Sequence, residues 1–185
     1  MELAGIKDAG FIVTGAAQGI GEGIARHLAA GGARLALIDR QADEVAAMAK
    51  ELGAQGIEAR GTWLVTRHAA RHMTANKAGS IVTISSNAAR VPRVRQGAYC
   101  SSKAGISHLM RVFALELGPL GIRVNTVAPG ATETPMIRRM MEGMGFGEAM
   151  LKGDLDNFRT GVPLGRIAEV GDVADAVAFL LSDQS

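Results

Sequence analysis

The segment that most constrains the fold lies near the N-terminus, where an apolar run leads through glycines into helical periodicity. Residues 10–14 read Gly-Phe-Ile-Val-Thr, which is typical of a buried strand. A glycine-rich turn follows, and apolar residues then recur at helical spacing from Ile20 to Leu28. This order places bare backbone N–H groups at a helix N-terminus, where a pyrophosphate can bind. We expect five residues of the turn to bind a dinucleotide: Gly15, Gln18, Gly19, Ile20 and Gly21.

The second predicted strand, Arg34–Asp39, ends in an acid about twenty residues beyond the turn. A carboxylate there can accept hydrogen bonds from ribose hydroxyls and would repel a 2′-phosphate, which favours NAD over NADP. Two other interpretations stay open. Asp39 could instead cap the helix beginning near Gln41, and the Arg40 guanidinium could receive a phosphate.

Strand and helix patterns alternate along the rest of the chain, which predicts one doubly wound α/β domain over residues 1–185, a Rossmann-type parallel sheet with helices on both faces. The expected helices cover Gln41–Leu52, Leu64–Met73, a segment from Tyr99 to about Leu117, and Val173–Leu181. The expected strands are Gly56–Arg60, Ser80–Ile84 and Arg123–Val127.

Ser86, Tyr99 and Lys103 form the candidate catalytic set. Tyr99 and Lys103 are four residues apart, so they share one face of a helix. A cation beside a phenol favours the phenolate, so Tyr99 is suited to exchange a proton with an alcohol. Ser86, at the end of a strand, can hold the substrate oxygen. The set predicts proton management for a hydride transfer.

These residues resemble the short-chain dehydrogenase/reductase family over nearly the whole chain. The resemblance rests on the glycine turn, Asp39, Ser86, Tyr99-x-x-x-Lys103 and the run from Arg123 to Gly130 with Thr134. It implies that Tyr99 is the acid/base and also contacts the cofactor, that Lys103 lowers the pKa of Tyr99 and holds the nicotinamide ribose, and that Ser86 orients the substrate. It also implies that the loop after β-strand 123–127 fixes the carboxamide, through Pro129, Gly130, Thr132 and Thr134.

Within the family, short segments such as Thr132-Glu133-Thr134 are most similar to a branch that oxidises a cyclohexadiene diol carboxylate to a catechol acid used in siderophores. Arginines near the expected site agree with an anionic substrate, although a solvated face explains such runs as well. We expect Arg93 and Met136 to contact the substrate. The methionines around Met136 form either an adaptable lid or core filling.

The chain departs from the family pattern between Arg60 and Gly61. The family's internal strand ending in Asn-Ala-Gly is absent, and Glu58 occupies the place of its relay asparagine. In the family, about fifty to sixty residues, the size of a strand–helix–strand–helix stretch, would lie between the residues before this join and those after it. We therefore expect an omitted central segment, with Arg60 and Gly61 not truly bonded, and a final strand that is also missing.

The composition and residue patterns argue against several other classes of protein. The longest apolar runs are too short to cross a bilayer, no secretory signal is visible, and the single Cys100 excludes an internal disulfide, which together predict a cytoplasmic protein. A net charge of +2 with 4% aromatics argues against nucleic acid. His68 and His72 lack the acid that a metal site would need, so no metal is expected.

The leading hypothesis is an NAD-dependent dehydrogenase, with a 3-oxoacyl thioester reductase or another short-chain alcohol dehydrogenase of the same family as the alternative. A non-catalytic dinucleotide-binding remnant is the hypothesis of a different class. The resemblance also implies a homotetramer assembled through the two helices beginning near Leu64 and Tyr99. On the second of these helices we expect an apolar contact face formed by Leu109, Val112, Phe113 and Leu117.

Overall fold

Strands and helices alternate along the chain, as the sequence pattern predicts. A computed structural model describes residues 3–58, 61–144 and 146–185. The strands are β1 (Gly10–Thr14), β2 (Arg34–Asp39), β3 (Gln55–Glu58), β4 (Gly79–Ile84), β5 (Ile122–Val127), β6 (Gly153–Asp154) and β7 (Arg159–Thr160). The helices are α1 (Gly19–Ala30), α2 (Ala42–Glu51), α3 (Thr62–Asn76), α4 (Gly97–Leu117), α5 (Pro135–Met144), α6 (Phe146–Lys152) and α7 (Val170–Leu181).

Among the described residues, the five long strands form two separate parallel sheets. One has the order β1-β2-β3, and the other pairs β4 with β5. The α/β class with parallel strands is therefore confirmed. The join between Arg60 and Gly61, predicted not to be a true bond, lies outside the described residues because Ala59 and Arg60 are not among them.

Helices α1, α2 and α7 cover one face of both sheets. Their buried side chains, including Leu28, Val45 and Val177, pack with Val13 and Leu37 of the first sheet. Residues of the second sheet join the same cluster: Val82, Ile84 and Val127. The two sheets therefore share a single helical layer on this face.

Helix α7 begins at Val170, three residues before the predicted start, because a capping box precedes it. The Glu169 side chain accepts a hydrogen bond from the backbone of the first turn, and Asp172 accepts one from the Glu169 N–H at 2.9 Å. That N–H and the Arg166 guanidinium hold the pKa of Asp172 below its ordinary value. The Arg123 guanidinium then donates to Leu180 O at 2.6 Å, so the C-terminal end of α7 is tied to β5.

Helices α3 and α4 cover the opposite face of the second sheet only. Ala70, Met110, Phe113 and Leu117 are buried there with Ile122, and Trp63 stacks on Phe113 with ring centroids 5.4 Å apart. This corrects the expected apolar contact face of α4. Phe113 and Leu117 point into the core, whereas Leu115 is 79% exposed.

Candidate active site

The glycine turn between β1 and α1 is shaped by positive backbone angles and by a close approach of two chain segments. Gly15 and Gly19 have φ angles of +67° and +61°, which side chains rarely adopt. A Cβ on Gly21 would lie 1.9 Å from the Gly15 carbonyl oxygen. Within the described part of the chain, no side chain caps the N-terminus of α1, whose cap residue is Gln18. The N-terminal N–H groups of α1 are thus presented by a tight backbone cradle, as binding of an anion requires.

Asp39 links the end of β2 to this turn. Its carboxylate accepts hydrogen bonds from Ala17 N at 3.0 Å and from Gln41 N at 3.1 Å, and the residue is buried. The second contact is to Gln41, the N-cap residue just before α2, and not to an N–H of the helix, so Asp39 does not act as the cap of α2. Gln18 Nε2 also donates to Gln41 Oε1 at 2.9 Å, and this bond joins the glycine turn to the residue before α2.

The loop after β5 reaches both the glycine turn and the end of β4. A Cβ on Gly19 would lie 3.5 Å from Thr134 Cγ2, and Asn87 N donates to Pro129 O at 3.0 Å. Thr134 Oγ1 accepts from Ile137 N at 3.3 Å and so begins α5. The Thr132 hydroxyl oxygen is buried and has no hydrogen-bond partner among the described residues. The loop therefore carries a polar atom available to a bound molecule.

Ser86 is buried where β4 gives way to the 3-10 turn Asn87–Ala89. Its Oγ accepts a hydrogen bond from Ala88 N at 3.2 Å and donates to Asn87 Oδ1 at 3.4 Å. Helix α4 contacts this turn. Ser86 therefore lies at the carboxyl end of a parallel strand, the edge where ligands of open α/β sheets bind.

Tyr99 and Lys103 lie on one face of α4, as their spacing predicts. The Lys103 Nζ is 5.9 Å from the centre of the Tyr99 ring and donates to Ile84 O, the last residue of β4, at 3.3 Å. Tyr99 is 44% exposed. The phenol and ammonium are thus adjacent and held at the same strand end that carries Ser86.

Two serines that the sequence analysis did not single out attach α4 to β4. Ser85 Oγ donates to Lys103 O at 3.1 Å and shares a 2.6 Å hydrogen bond with Ser107 Oγ. Ser107 lies one helical turn after Lys103, so this spacing could have predicted that the two residues share one face of α4. These bonds determine where α4 lies relative to the end of β4.

Arg93 and Asn87 form a polar pair next to Ser86. The Arg93 guanidinium donates to Asn87 Oδ1, and Arg93 is only partly exposed. Among the other candidate cations, Arg138 pairs with Glu133 at 3.0 Å and Arg139 donates to Pro135 O. Met136, in the first turn of α5, is 64% exposed.

Glu58 is the last residue of β3 and pairs with Asp39 of β2. It therefore belongs to the outer strand of the first sheet rather than to the β4 end that carries Ser86. Over the described ranges, no cluster of three metal-ligating side chains occurs, and no helix there has the length and apolar character needed to span a membrane.

Comparisons with known families agree with this architecture. Residues 10–62 match the family model described as short chain dehydrogenase, and residues 54–185 match the model described as enoyl-(acyl carrier protein) reductase. The chain belongs to the short-chain dehydrogenase/reductase family, and it is therefore an oxidoreductase of the α/β class.

Among its relatives, the chain is similar to 2,3-dihydro-2,3-dihydroxybenzoate dehydrogenase of Bacillus subtilis, at 31% identity over 243 residues, covering all of this chain and 93% of the relative. The vibriobactin-specific enzyme of that name from Vibrio cholerae is 44% identical over 130 residues, covering 70% of this chain. The chain spans about half the length of that second relative, 49%.

Solved structures show the same fold. A short-chain type dehydrogenase/reductase from Mycobacterium ulcerans has a TM-score of 0.85 at 27% identity, covering 96% of this chain and 84% of that one. A 7α-hydroxysteroid dehydrogenase complexed with NADH has a TM-score of 0.82 at 26% identity, covering 96% and 88%.

Proposed function

We propose that this protein is an NAD-dependent dehydrogenase that oxidises 2,3-dihydro-2,3-dihydroxybenzoate to 2,3-dihydroxybenzoate. The observation that carries the proposal is the attachment of α4 to the end of β4, with the Lys103 Nζ near both Ile84 O and the Tyr99 ring. Relatives that carry this activity in their names support the substrate. The partly exposed Arg93 beside Ser86 supports an anionic one.

The glycine turn and the loop after β5 fit a nicotinamide dinucleotide. The first turn of α1 presents uncapped N–H groups to a pyrophosphate, and Asp39 lies where ribose hydroxyls would bind. The orphaned Thr132 hydroxyl can take a polar group such as the carboxamide. NAD⁺, when bound, supplies the hydride acceptor.

The chain's own residues would orient the diol and manage one proton. Ser86 Oγ holds the reacting hydroxyl, and Tyr99 as phenolate accepts its proton while the carbon–hydrogen bond breaks to give a ketone and a hydride. Lys103 provides the positive charge beside the phenolate. Tautomerisation of the ketone, in which a ring carbon loses a proton and the carbonyl oxygen gains one, then gives the aromatic catechol without a further redox step.

An absorbance assay tests the proposal. The complete protein mixed with 2,3-dihydro-2,3-dihydroxybenzoate and NAD⁺ should form NADH and dihydroxybenzoate in equal amounts. No NADH from this diol, with NADH formed from another alcohol, would reject the substrate and keep the dehydrogenase class.

A 3-oxoacyl thioester reductase is the second candidate. It is supported by (3R)-3-hydroxyacyl-CoA dehydrogenase of Rattus norvegicus, which is 40% identical over 130 residues. Turnover of a 3-oxoacyl thioester with NADPH and none of the diol would favour it. The third candidate is a non-catalytic remnant, for which the complete protein should bind NADH and turn over neither substrate.

Asp39 should determine the choice between NAD and NADP. We expect Asp39→Asn to lower kcat/KM with NAD⁺ by about tenfold and to raise the NADP⁺/NAD⁺ ratio, because repulsion of the 2′-phosphate is removed. Steady-state kinetics with both cofactors measure this ratio. Asp43→Asn, on the exposed first turn of α2, is the control and should leave the ratio unchanged. An equal loss with both cofactors would show that Asp39 only supports the turn.

Arg93 should bind the substrate carboxylate. We expect Arg93→Ala to raise KM for the diol about tenfold, equivalent to about 1.4 kcal/mol, because a bidentate charge-assisted contact is lost. Initial rates at saturating NAD⁺ measure it. Arg111→Ala removes the same charge from the exposed side of α4 and should not change KM. An unchanged KM for Arg93→Ala would mean that Arg93 does not bind the carboxylate, which leaves Arg95 and the α5 arginines as candidates.

Assembly as a homotetramer is part of the proposal. Support comes from exposed apolar residues on adjacent helices, namely Trp63 and Leu64 of α3 and Val112 and Leu115 of α4. Light scattering coupled to size-exclusion chromatography should give four times the chain mass, and Leu115→Glu should give a smaller species. A monomer at micromolar concentration would reject the assembly.

A further inference from the structure

We propose that Ser85 and Ser107 are a positioning pair, whose hydrogen bonds set where the catalytic half of α4 lies against the end of β4. The catalytic half is residues 97–107, which carry both Tyr99 and Lys103. Neither serine of the pair contacts the substrate, and both act through Lys103. The proposal rests on the dehydrogenase function proposed above, and it holds for any alcohol that the protein oxidises.

The apolar core does not hold the catalytic half of α4. The buried residues of this helix are Met110, Phe113 and Leu117, and all three lie beyond that half. No residue of 97–107 is buried. Helix segments with few buried apolar contacts open and shift most easily. The polar contacts of the catalytic half therefore matter most for its position.

Three hydrogen bonds attach the catalytic half to two consecutive residues at the end of β4. Ser85 Oγ donates to Lys103 O at 3.1 Å and lies 2.6 Å from Ser107 Oγ. Lys103 Nζ donates to Ile84 O at 3.3 Å. Both ends of Lys103 are thus held, its carbonyl by Ser85 and its ammonium by Ile84. Ser86 is the next residue, so one stretch of three residues places all the proposed catalytic side chains relative to one another.

The directions of these bonds follow from the single hydrogen that a hydroxyl carries. The Lys103 carbonyl can only accept, so the Ser85 hydrogen is used there, and Ser107 is the donor in the 2.6 Å bond. Ser85 is buried, and its backbone N–H donates to Val127 O of β5 at 2.8 Å. The pair is therefore anchored to the sheet at one end and to the helix at the other.

Ser85→Ala in the complete protein tests the pair. We expect kcat for the diol, or for another alcohol that the wild type oxidises, to fall about tenfold, because small displacements of catalytic groups cost alignment. KM for the alcohol should stay within about twofold, since Ser86 and Arg93 are unchanged. Initial rates at saturating NAD⁺ measure both constants.

Ser80→Ala is the matched control. Ser80 lies near the other end of β4, where its hydroxyl donates to Leu180 O of α7 at 3.1 Å. The change also removes a bond from a β4 hydroxyl to a helix carbonyl, so Tm should fall as it does in Ser85→Ala. We expect kcat to stay at the wild-type value. An equal loss of kcat in both variants would show general destabilisation and would overturn the proposal.

Ser107→Ala is a second test with less risk to folding, because Ser107 is only half-buried. The bond from Ser85 to Lys103 is kept but loses its support, so we expect kcat to fall about threefold. The double variant should be no worse than Ser85→Ala, since the two serines act as a unit. Independent, multiplied losses, or a kcat of Ser85→Ala within about twofold of the wild type, would overturn the proposal.

The wild-type protein separates this proposal from the proposed function. A complete protein that oxidises no alcohol would reject the dehydrogenase function, and the positioning role would be rejected with it. An active wild type that Ser85→Ala equals in kcat would reject the positioning role alone.

Discussion

Replacing Tyr99 with phenylalanine should lower kcat for oxidation of the diol by about 10²–10⁴-fold, the usual contribution of a positioned acid/base. The ring and its contact with Lys103 are kept, and only the proton-accepting oxygen is lost. Stopped-flow measurement of NADH formation isolates this step. Because the oxygen acts mainly on the substrate, binding of NADH, followed by its fluorescence, should change far less than kcat.

Ser102→Ala is the matched control for Tyr99→Phe. It removes a hydroxyl from the exposed side of α4, where Ser102 Oγ donates to the Tyr99 carbonyl oxygen. We expect its kcat to remain near the wild-type value. A Tyr99→Phe variant that keeps more than a tenth of the activity would reject Tyr99 as the acid/base.

Replacing Gly21 with alanine should abolish cofactor binding and destabilise the fold. The new Cβ would lie 1.9 Å from the Gly15 carbonyl oxygen, which is backbone and cannot rotate away. Overpacking of this kind costs about 1–3 kcal/mol, and here it also displaces the first turn of α1 from the anion. Thermal unfolding and NADH titration measure the two effects.

Gly171→Ala is the control, because Gly171 also lies in the first turn of a helix and a Cβ there meets nothing within 4 Å. Alanine has the higher helix propensity, so this variant should be as stable as the wild type or slightly more so. Wild-type NADH affinity in Gly21→Ala would show that the turn does not hold the pyrophosphate.

The strands could be predicted because the residue types at their ends mark their boundaries. Gly10–Thr14 and Arg34–Asp39 are short β-branched or apolar runs ended by a glycine turn and by an acid, and the structure has the same bounds. The spacing of Tyr99 and Lys103 placed them together for a similar local reason, since one helical turn separates them.

Contacts between elements distant in sequence could not be predicted in this way. Helix α4 carries two apolar stripes, and periodicity alone does not say that Phe113 enters the core while Leu115 stays exposed. The bond between Arg93 and Asn87 depends on how the chain turns after β4. The early start of α7 was signalled by Glu169 and Asp172, a capping box that hydrophobic periodicity does not detect.

The position of α7 across both sheets has a consequence for the order of events during synthesis. The core around Val13 and Leu28 is completed by Val173 and Val177, which leave the ribosome after the other members of that core. Until they do, α1 and α2 cover this core only in part, and contacts of such large sequence separation form slowly. The newborn chain should therefore depend on chaperones for most of its translation, and stalled products that end before α7 should aggregate.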